Sequence, residues 1–471
     1  MAEYVDSAVQ TVLSSSRLML AHPGNAKLTQ VYPTPSETTS VLAQALNHRG
    51  QFRVKPNNKQ FNSRSDFILS SSALVSEMTL VGNVSFANGG AGQSWKPNCV
   101  GWIFDMVESM EVTYSNSLMQ NMIIRGQTLK DYCLLCCCTK QERIDMLKAA
   151  GQSFQLPGNG PAVKNVFRFA LPLSFLNHTP ASLRNSWPVD GSVLAGPIQI
   201  SVNWRSFAFG FVATDTAVAA IPTEFAELEM VCKTTQLQDA AFSVKKAMML
   251  DPQLVYSLPA RYITTVDYTR ALNAGQPTTI NLASAPSGML EGIIISIRPK
   301  IADVSWVTPD PAGGTVNIHG GSCTVAGIQL QFGGQNIFRC ESYEEYLHWQ
   351  RSAFGDTVEW VEQTYLQGAA NTDLSVAIVH PVYFIPMCND SAAIFRAHTN
   401  ENLPSYGGSQ LQLTIQTQIA QRTLAAPGTS WDGAEVIGAV AQTNTTEYEI
   451  LVAYLVSSLL EISQGTVDLQ L

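Results

Sequence analysis

The sequence predicts an all-β protein in which one β-domain is used twice, and three observations carry that expectation. Short runs alternate apolar or β-branched residues with polar ones, the pattern of a half-buried strand. Thirty-two glycines and 23 prolines punctuate the chain, while only 14% of residues are charged. The order of elements in the first half returns in the second.

The repeat is clearest around residues 323–340. Val325 to Phe332 alternates as a strand, Gly333-Gly334 supplies a tight turn, and Asn336 to Arg339 resumes. Earlier, Glu108 to Tyr114 alternates, Ser115-Asn116-Ser117 makes a polar turn, and Asn121 to Arg125 resumes. A Tyr/Trp-rich polar segment follows each unit, Leu129 to Tyr132 and Tyr343 to Trp349. An apolar strand ending in a proline-marked aromatic comes next, Val166 to Phe175 and Leu374 to Pro386. Each half closes on an alternating strand, Gly196 to Trp204 and Gly408 to Gln416. Val112 and Ile198 lie 86 positions apart, Ile328 and Leu411 lie 83 apart, so spacing repeats with order.

Taken in order, Ala2 to Leu20 has amphipathic-helix spacing, and Ala21 to Asn62 is rich in Pro, Asn, Gln and Ser. Residues 1–62 are expected to form an N-terminal arm ordered by contact with another subunit or layer. Its removal at residue 60 is expected to spare the oligomer. Phe67 to Phe86 reads as the first strands, Asn88 to Gln93 as a flexible turn and Val100 to Tyr114 as one long strand. Leu129 to Gly151 carries Lys, Glu and Arg at helical spacing and reads as a helical excursion. Phe225 to Lys233 alternates strongly, and a boundary near Glu224 gives domains 63–223 and 224–471. Ser243 to Leu258 reads as a short helix, Tyr262 to Tyr268 as a strand, and Thr278 to Ile297 as two strands around Pro286-Ser287-Gly288. Ala425 to Thr446 is loop-like, and Tyr448 to Leu471 reads as a long strand and a short one. Segments 133–165 and 302–322 are expected to project outward or between protomers.

The 471 residues suffice for two to three domains. A formal charge of −9 argues against phosphate-backbone binding as the main task, hence no sequence-specific nucleic-acid partner. No charged-then-apolar leader opens the chain, and no run reaches the roughly 18 apolar residues of a membrane span. A soluble chain is expected. Nine cysteines, four of them at 133, 136, 137 and 138, point to a reducing compartment and free thiols. On that reading the sequons at Asn83, Asn177, Asn389 and Asn444 stay unglycosylated.

Catalytic templates are not met. Cys133 and Cys136 have zinc-knuckle or redox spacing, but Cys232, Cys323, Cys340 and Cys388 stand alone, so no second pair completes a metal site. Buried or half-buried thiols are the expected reading. The histidines at 22, 48, 178, 319, 348, 380 and 398 form neither His-x-His nor His-Glu-x-x-His. His380, before Pro381 on an apolar run, reads as a core or interface residue. Glu344, Glu345, Glu359 and Glu362 have the chemistry of a glycosidase carboxylate pair, though a solvated helix face is the ordinary reading. The double glycines 313–314, 320–321, 333–334 and 407–408 lack a following Gly-Lys-Ser/Thr, and no Gly-x-Ser-x-Gly elbow occurs. No catalytic, cofactor-binding or metal-binding residue is assigned and no cofactor is expected.

Three stretches carry a resemblance. Leu171-Pro172-Leu173-Ser174-Phe175, with Leu194 to Ile200, looks like a Leu-Pro-aromatic strand and the closing strand of a first jelly roll. Gly334-Gln335-Asn336-Ile337-Phe338 is similar to a turn of the second, and Ala453 to Gly465 to its terminal strand. Ser457-Ser458 and Glu461 depart from that terminal pattern. Their order resembles the double jelly-roll major capsid proteins of icosahedral double-stranded DNA viruses: tailless phages, adenovirus-like elements, virophages and nucleocytoplasmic large DNA viruses. The resemblance implies two tandem eight-stranded jelly rolls, with short helical excursions in loops. It implies pseudo-hexagonal homotrimers tiling an icosahedral shell, and no enzymatic activity. Neighbouring capsomers, minor capsid or penton proteins and an internal membrane are the implied partners, and the virion, assembled in host cytoplasm, the implied location. Two alternatives remain open: a minor capsid or penton component, and a non-viral β-sandwich carbohydrate-binding protein or hydrolase.

Overall fold

The computed structural model describes residues 48–69, 73–85, 95–97, 100–114, 122–151, 166–173, 187–189, 197–213, 222–236, 256–272, 276–282, 286, 288–299, 324–367, 373–387, 405–406, 411–418, 421–424, 435–438, 447–463 and 466–470. The expected helix at 2–20 and turn at 88–93 lie outside them.

Eight strands build the first half: β1 (His48–Val54), β2 (Arg64–Leu69), β3 (Ala73–Ser85), β4 (Val107–Tyr114), β5 (Met122–Arg125), β6 (Val166–Pro172), β7 (Ile198–Trp204) and β8 (Glu227–Gln236). They pair in the orders 1-8-3-6 and 2-7-4-5. Eight more build the second half: β9 (Tyr256–Ala271), β10 (Pro277–Asn281), β11 (Gly288–Pro299), β12 (Thr324–Phe332), β13 (Gln335–Cys340), β14 (Tyr383–Pro386), β15 (Leu411–Gln418) and β16 (Glu447–Ser463). Their orders are 9-16-11-14 and 10-15-12-13, the first pattern with every number raised by eight. Two four-stranded sheets in this order, joined by antiparallel pairs, make an eight-stranded jelly roll. The chain contains two.

Even the irregularities repeat. β4 slips register on β7 between Val107 and Ser109, and β12 slips on β15 between Val325 and Gly327. β3 carries its extra residue between Val75 and Glu77, and β11 between Leu290 and Gly292. Aligning the slips makes Val112, opposite Ile200, equivalent to Leu330, opposite Leu413. The expected pairing of Val112 with Ile328 is therefore two residues out, which keeps the same face because strand side chains alternate with period two.

The Gly333-Gly334 hairpin closes on the Phe332–Gln335 pair with φ of 56° and 81° at the two glycines. Positive φ at both central residues is what a two-residue turn needs to match strand twist, and glycine takes it without steric cost.

Four α-helices interrupt the described strands: α1 (Trp102–Met106), α2 (Gly126–Cys136), α3 (Lys140–Ala149) and α4 (Tyr343–Phe354). α2 and α3 fulfil the helical excursion; α3 starts on a capping box between Thr139 and Glu142. α1 corrects the expected strand over 100–114. Trp102, Ile103, Phe104 and Met106 are all fully buried, and a short apolar run buried all round does not distinguish helix from strand by period.

The cores differ in chemistry. The first is aromatic: Trp102 stands edge-on to Phe169, and Phe207 stacks on Phe211 at 4.7 Å. The second adds an aliphatic sheet, with Ile293, Ile295, Ile450, Val452 and Leu455 fully or almost fully buried, to a ring cluster of Tyr346, Tyr383, Phe354 and Phe384.

Other departures follow from pairing. β1 lies within the expected arm, yet all seven of its residues pair with β8. Cutting at residue 60 would strip the edge of that sheet, which corrects the expected tolerance. β8, placed after the boundary at 224, pairs with β1 and β3 of the first half. The strand predicted over 374–386 is two: Asp373–Pro381 pairs with Glu359–Gln367, whereas β14 pairs with β11. Glu359 and Glu362 thus sit on a strand, not on a helix face. The expected helix at 243–258 lies outside the described residues as far as 255, and Tyr256–Leu258 opens β9. The stretch 425–446 contains the strand Glu435–Gly438. Among the described residues no helix is long and apolar enough to cross a membrane.

Candidate assembly interface: the seam between the jelly rolls

The helix α2 is where the two jelly rolls are joined. Gly126 opens it directly after β5, and a Cβ there would fall 2.1 Å from the Val107 carbonyl oxygen and 2.3 Å from that of Phe104. Only glycine permits so close an approach. Thr128 through Leu135 are then all buried, because the helix is covered by its own jelly roll on one side and by the second on the other.

On the β9 side, β5 touches β9 in a parallel bridge, Ile123 to Thr264, making one ten-stranded sheet from both halves. The Arg125 guanidinium donates to Asp267 at 2.6 Å, and the Thr128 and Thr265 hydroxyls lie 3.2 Å apart. Deeper, Arg261 of β9 donates to the Tyr132 hydroxyl at 2.8 Å and to Glu291 of β11 at 2.5 Å. Burial opposes the Arg261 charge, but Glu291 and Tyr132 outweigh it and raise the Arg261 pKa. Burial raises the Glu291 pKa against the pull of Arg261. Asp131 accepts a short hydrogen bond from the Ser296 hydroxyl of β11. Its carboxyl is pushed up to about 7 by burial, with Ser296, Lys130 and Gln127 pulling the other way.

A second attachment joins the helices to the start of the strand Glu359–Gln367 and the residues just before it. The Lys130 ammonium lies 3.4 Å from the centre of the Trp360 ring, with Asp105 4.0 Å away. Arg143 of α3 donates to the Thr357 carbonyl at 2.9 Å and faces Asp356 at 3.7 Å. This corrects the expectation that 133–165 projects as a loop, since α3 is tied to the second half; 152–165 and 302–322 lie outside the described residues.

The residues singled out from sequence do not converge. Cys133 is buried with its thiol directed at the Pro172 carbonyl, Cys136 and Cys137 are half-buried, and Cys138 is exposed. Burial pushes the Cys137 thiol up to about 11, and those of Cys232 and Cys340 up to about 12, so these are thiols at neutral pH. Glu344, Glu345 and His348 are exposed on α4. His380 lies on Asp373–Pro381; His22, His178, His319, His398, Cys323 and Cys388 lie outside the described residues. Among the described residues no group of three His, Cys, Asp or Glu side chains is placed to hold a metal.

No protein-family model matches the chain, and no curated protein matches it. Solved structures do. VP54 of PBCV-1, as fitted into a reconstruction of the virophage Sputnik, superposes with a TM-score of 0.60 at 12% identity, covering 90% of this chain and 96% of that one. A quasi-atomic model of the PBCV-1 virus capsid gives 0.59 at 12% identity, covering 90% and 97%. The Faustovirus major capsid protein gives 0.52 at 8% identity, covering 97% and 98%. The fold is theirs. At such identities the agreement is one of architecture, over nearly the full length of each partner: the double jelly roll.

Proposed function

We propose that this chain is a structural protein of a virion, the major capsid protein of an icosahedral double-stranded DNA virus. The observation that carries the reading is a duplicated jelly roll locked by a buried polar seam, in the architecture of two solved viral capsid structures. A chain holding two equivalent blocks at a fixed angle presents six blocks when three copies close a ring, and a six-cornered unit tiles a shell. The working unit is therefore a homotrimer, with neighbouring capsomers and minor capsid or penton proteins as partners. A membrane beneath the shell fits the same reading, as does assembly in host cytoplasm, where free thiols persist. The role is structural, not catalytic. The chain is read as an N-terminal arm followed by two jelly-roll domains.

Electron microscopy of the purified protein tests this. Particles with a hexagonal outline, built of three chains, are expected. Five-fold rings would make it a vertex component, and single two-lobed particles would leave a β-sandwich binding protein or hydrolase.

A further inference from the structure

Three cysteines in a row, Cys136, Cys137 and Cys138, stand where α2 gives way to α3, and neither the fold nor the assembly needs them. Their surroundings differ. Cys136 acts electrostatically on Tyr132 and Arg261, whereas Cys137 and Cys138 both act on the Arg143 guanidinium. Cys138 is exposed, and Cys137 is half-buried with its thiol donating to the Cys133 carbonyl at 3.3 Å. Burial pushes Cys137 up to about 11 against the pull of Arg143, so its thiolate is on the order of one part in a thousand at pH 8.

The same residues hold the junction of the two helices. The Cys137 N–H donates to the Leu134 carbonyl at 3.2 Å and ends α2. The Cys138 and Thr139 N–H groups donate to the Glu142 carboxylate at 2.7 and 3.2 Å and open α3. One turn on, Arg143 reaches the second half through the Thr357 carbonyl and Asp356. Its buried Nε has no hydrogen-bond partner among the described residues. The anchor is only partly satisfied, so a small displacement of α3 undoes it.

We propose that Cys137 and Cys138 form a reversible disulfide, and that closing it releases α3 and its Arg143 anchor from the second jelly roll. The co-reactant is a low-molecular-weight disulfide, oxidised glutathione. The exposed Cys138 thiolate attacks one of its sulfurs, forming a mixed disulfide and expelling one glutathione. Cys137 then gives up its proton and attacks Cys138 Sγ, expelling the second. Two protein thiols are oxidised, one glutathione disulfide is reduced, and the two protons end on the glutathione thiols. Adjacency in the chain supplies an effective concentration that offsets the small thiolate fraction of Cys137. A trans peptide sets the two α-carbons about 3.8 Å apart, less than a relaxed disulfide spans, so the bond is strained and mild thiols reopen it. Closure draws the Cys137 thiol off the Cys133 carbonyl and the Cys138 N–H off Glu142, which unfastens the start of α3. The reduced chain thus keeps the Arg143 attachment and the oxidised chain loses it.

The test treats the full chain with oxidised glutathione at pH 8. It reads the mass of the tryptic peptide Asp131–Lys140 and the rate of trypsin cleavage after Arg143 in the folded protein. The peptide is expected to lose two hydrogens, and cleavage to rise about ten-fold, because proteolysis follows the population of the open form. Dithiothreitol is expected to reverse both. Cys136→Ser should behave as wild type, and Cys138→Ser should lose no hydrogens and keep the slow cleavage. A wild-type peptide that stays heavier by one glutathione, or loss of the two hydrogens in Cys138→Ser, would overturn the pairing. A closed disulfide with unchanged cleavage would overturn the release of α3.

Discussion

At the scale of single residues, the seam is built from groups that cost energy to bury. Arg261 and Glu291 are about as inaccessible as the surrounding core, 3% exposed each. Removing one partner leaves the other charge buried and unpaired, at a cost of about 3–5 kcal/mol. Glu291→Ala and Arg261→Ala are therefore expected to lower stability by that amount in urea denaturation. Arg261→Met combined with Glu291→Leu should cost less than either, its main penalty being the stranded Tyr132 hydroxyl, about 1–3 kcal/mol. Asp131 gives a pH signature. Its folded value of about 7 lies above the ordinary 3.8, so between those values the folded chain holds a proton that the unfolded chain has lost. This contribution is fully present in acid, falls as pH rises toward 7 and is gone above it, on the order of 4 kcal/mol in all. Thermal melts of wild type against Asp131→Asn from pH 4 to 8 should differ by that slope, and parallel curves would refute it. None of these groups was legible in sequence, because a charged residue is read as surface until its partner is known. The available signal was one charge inside an apolar run, as in Leu290-Glu291-Gly292-Ile293-Ile294-Ile295.

At the scale of elements, strands and turns were legible where a single period or a glycine pair decides the backbone. β12, the Gly333-Gly334 turn and β13 lie within one residue of expectation, as does the long terminal strand with its short companion Thr466–Gln470. Misreadings arose where tertiary contacts decide. α1 is apolar but for Asp105 and too short to show a period, and Asp373–Pro381 and β14 differ only in which sheet receives them. Gly126 belongs here too, as a glycine without a turn, explained only by the carbonyls of Phe104 and Val107 pressed against it. Gly126→Ala is expected to displace α2 at a cost of about 3 kcal/mol or more, because backbone must shift to admit the methyl group. A midpoint of chemical denaturation within error of wild type would contradict that.

At the scale of the whole molecule, the duplication was visible in the sequence as order and spacing, while the division between the copies was not. Strand alternation identifies a strand without identifying its partner. β8 sits after a change in composition that looks like a boundary, yet its hydrogen bonds close the first jelly roll. β1, the opening strand of that jelly roll, hides behind a polar stretch that reads as an arm. The central claim is that this two-block chain works as the ring-forming unit of a shell. Its most direct test is the native mass of the purified full chain by light scattering across a hundred-fold dilution. A stable species near three times the chain mass of 51.1 kDa is predicted; a monomer at every concentration would contradict it.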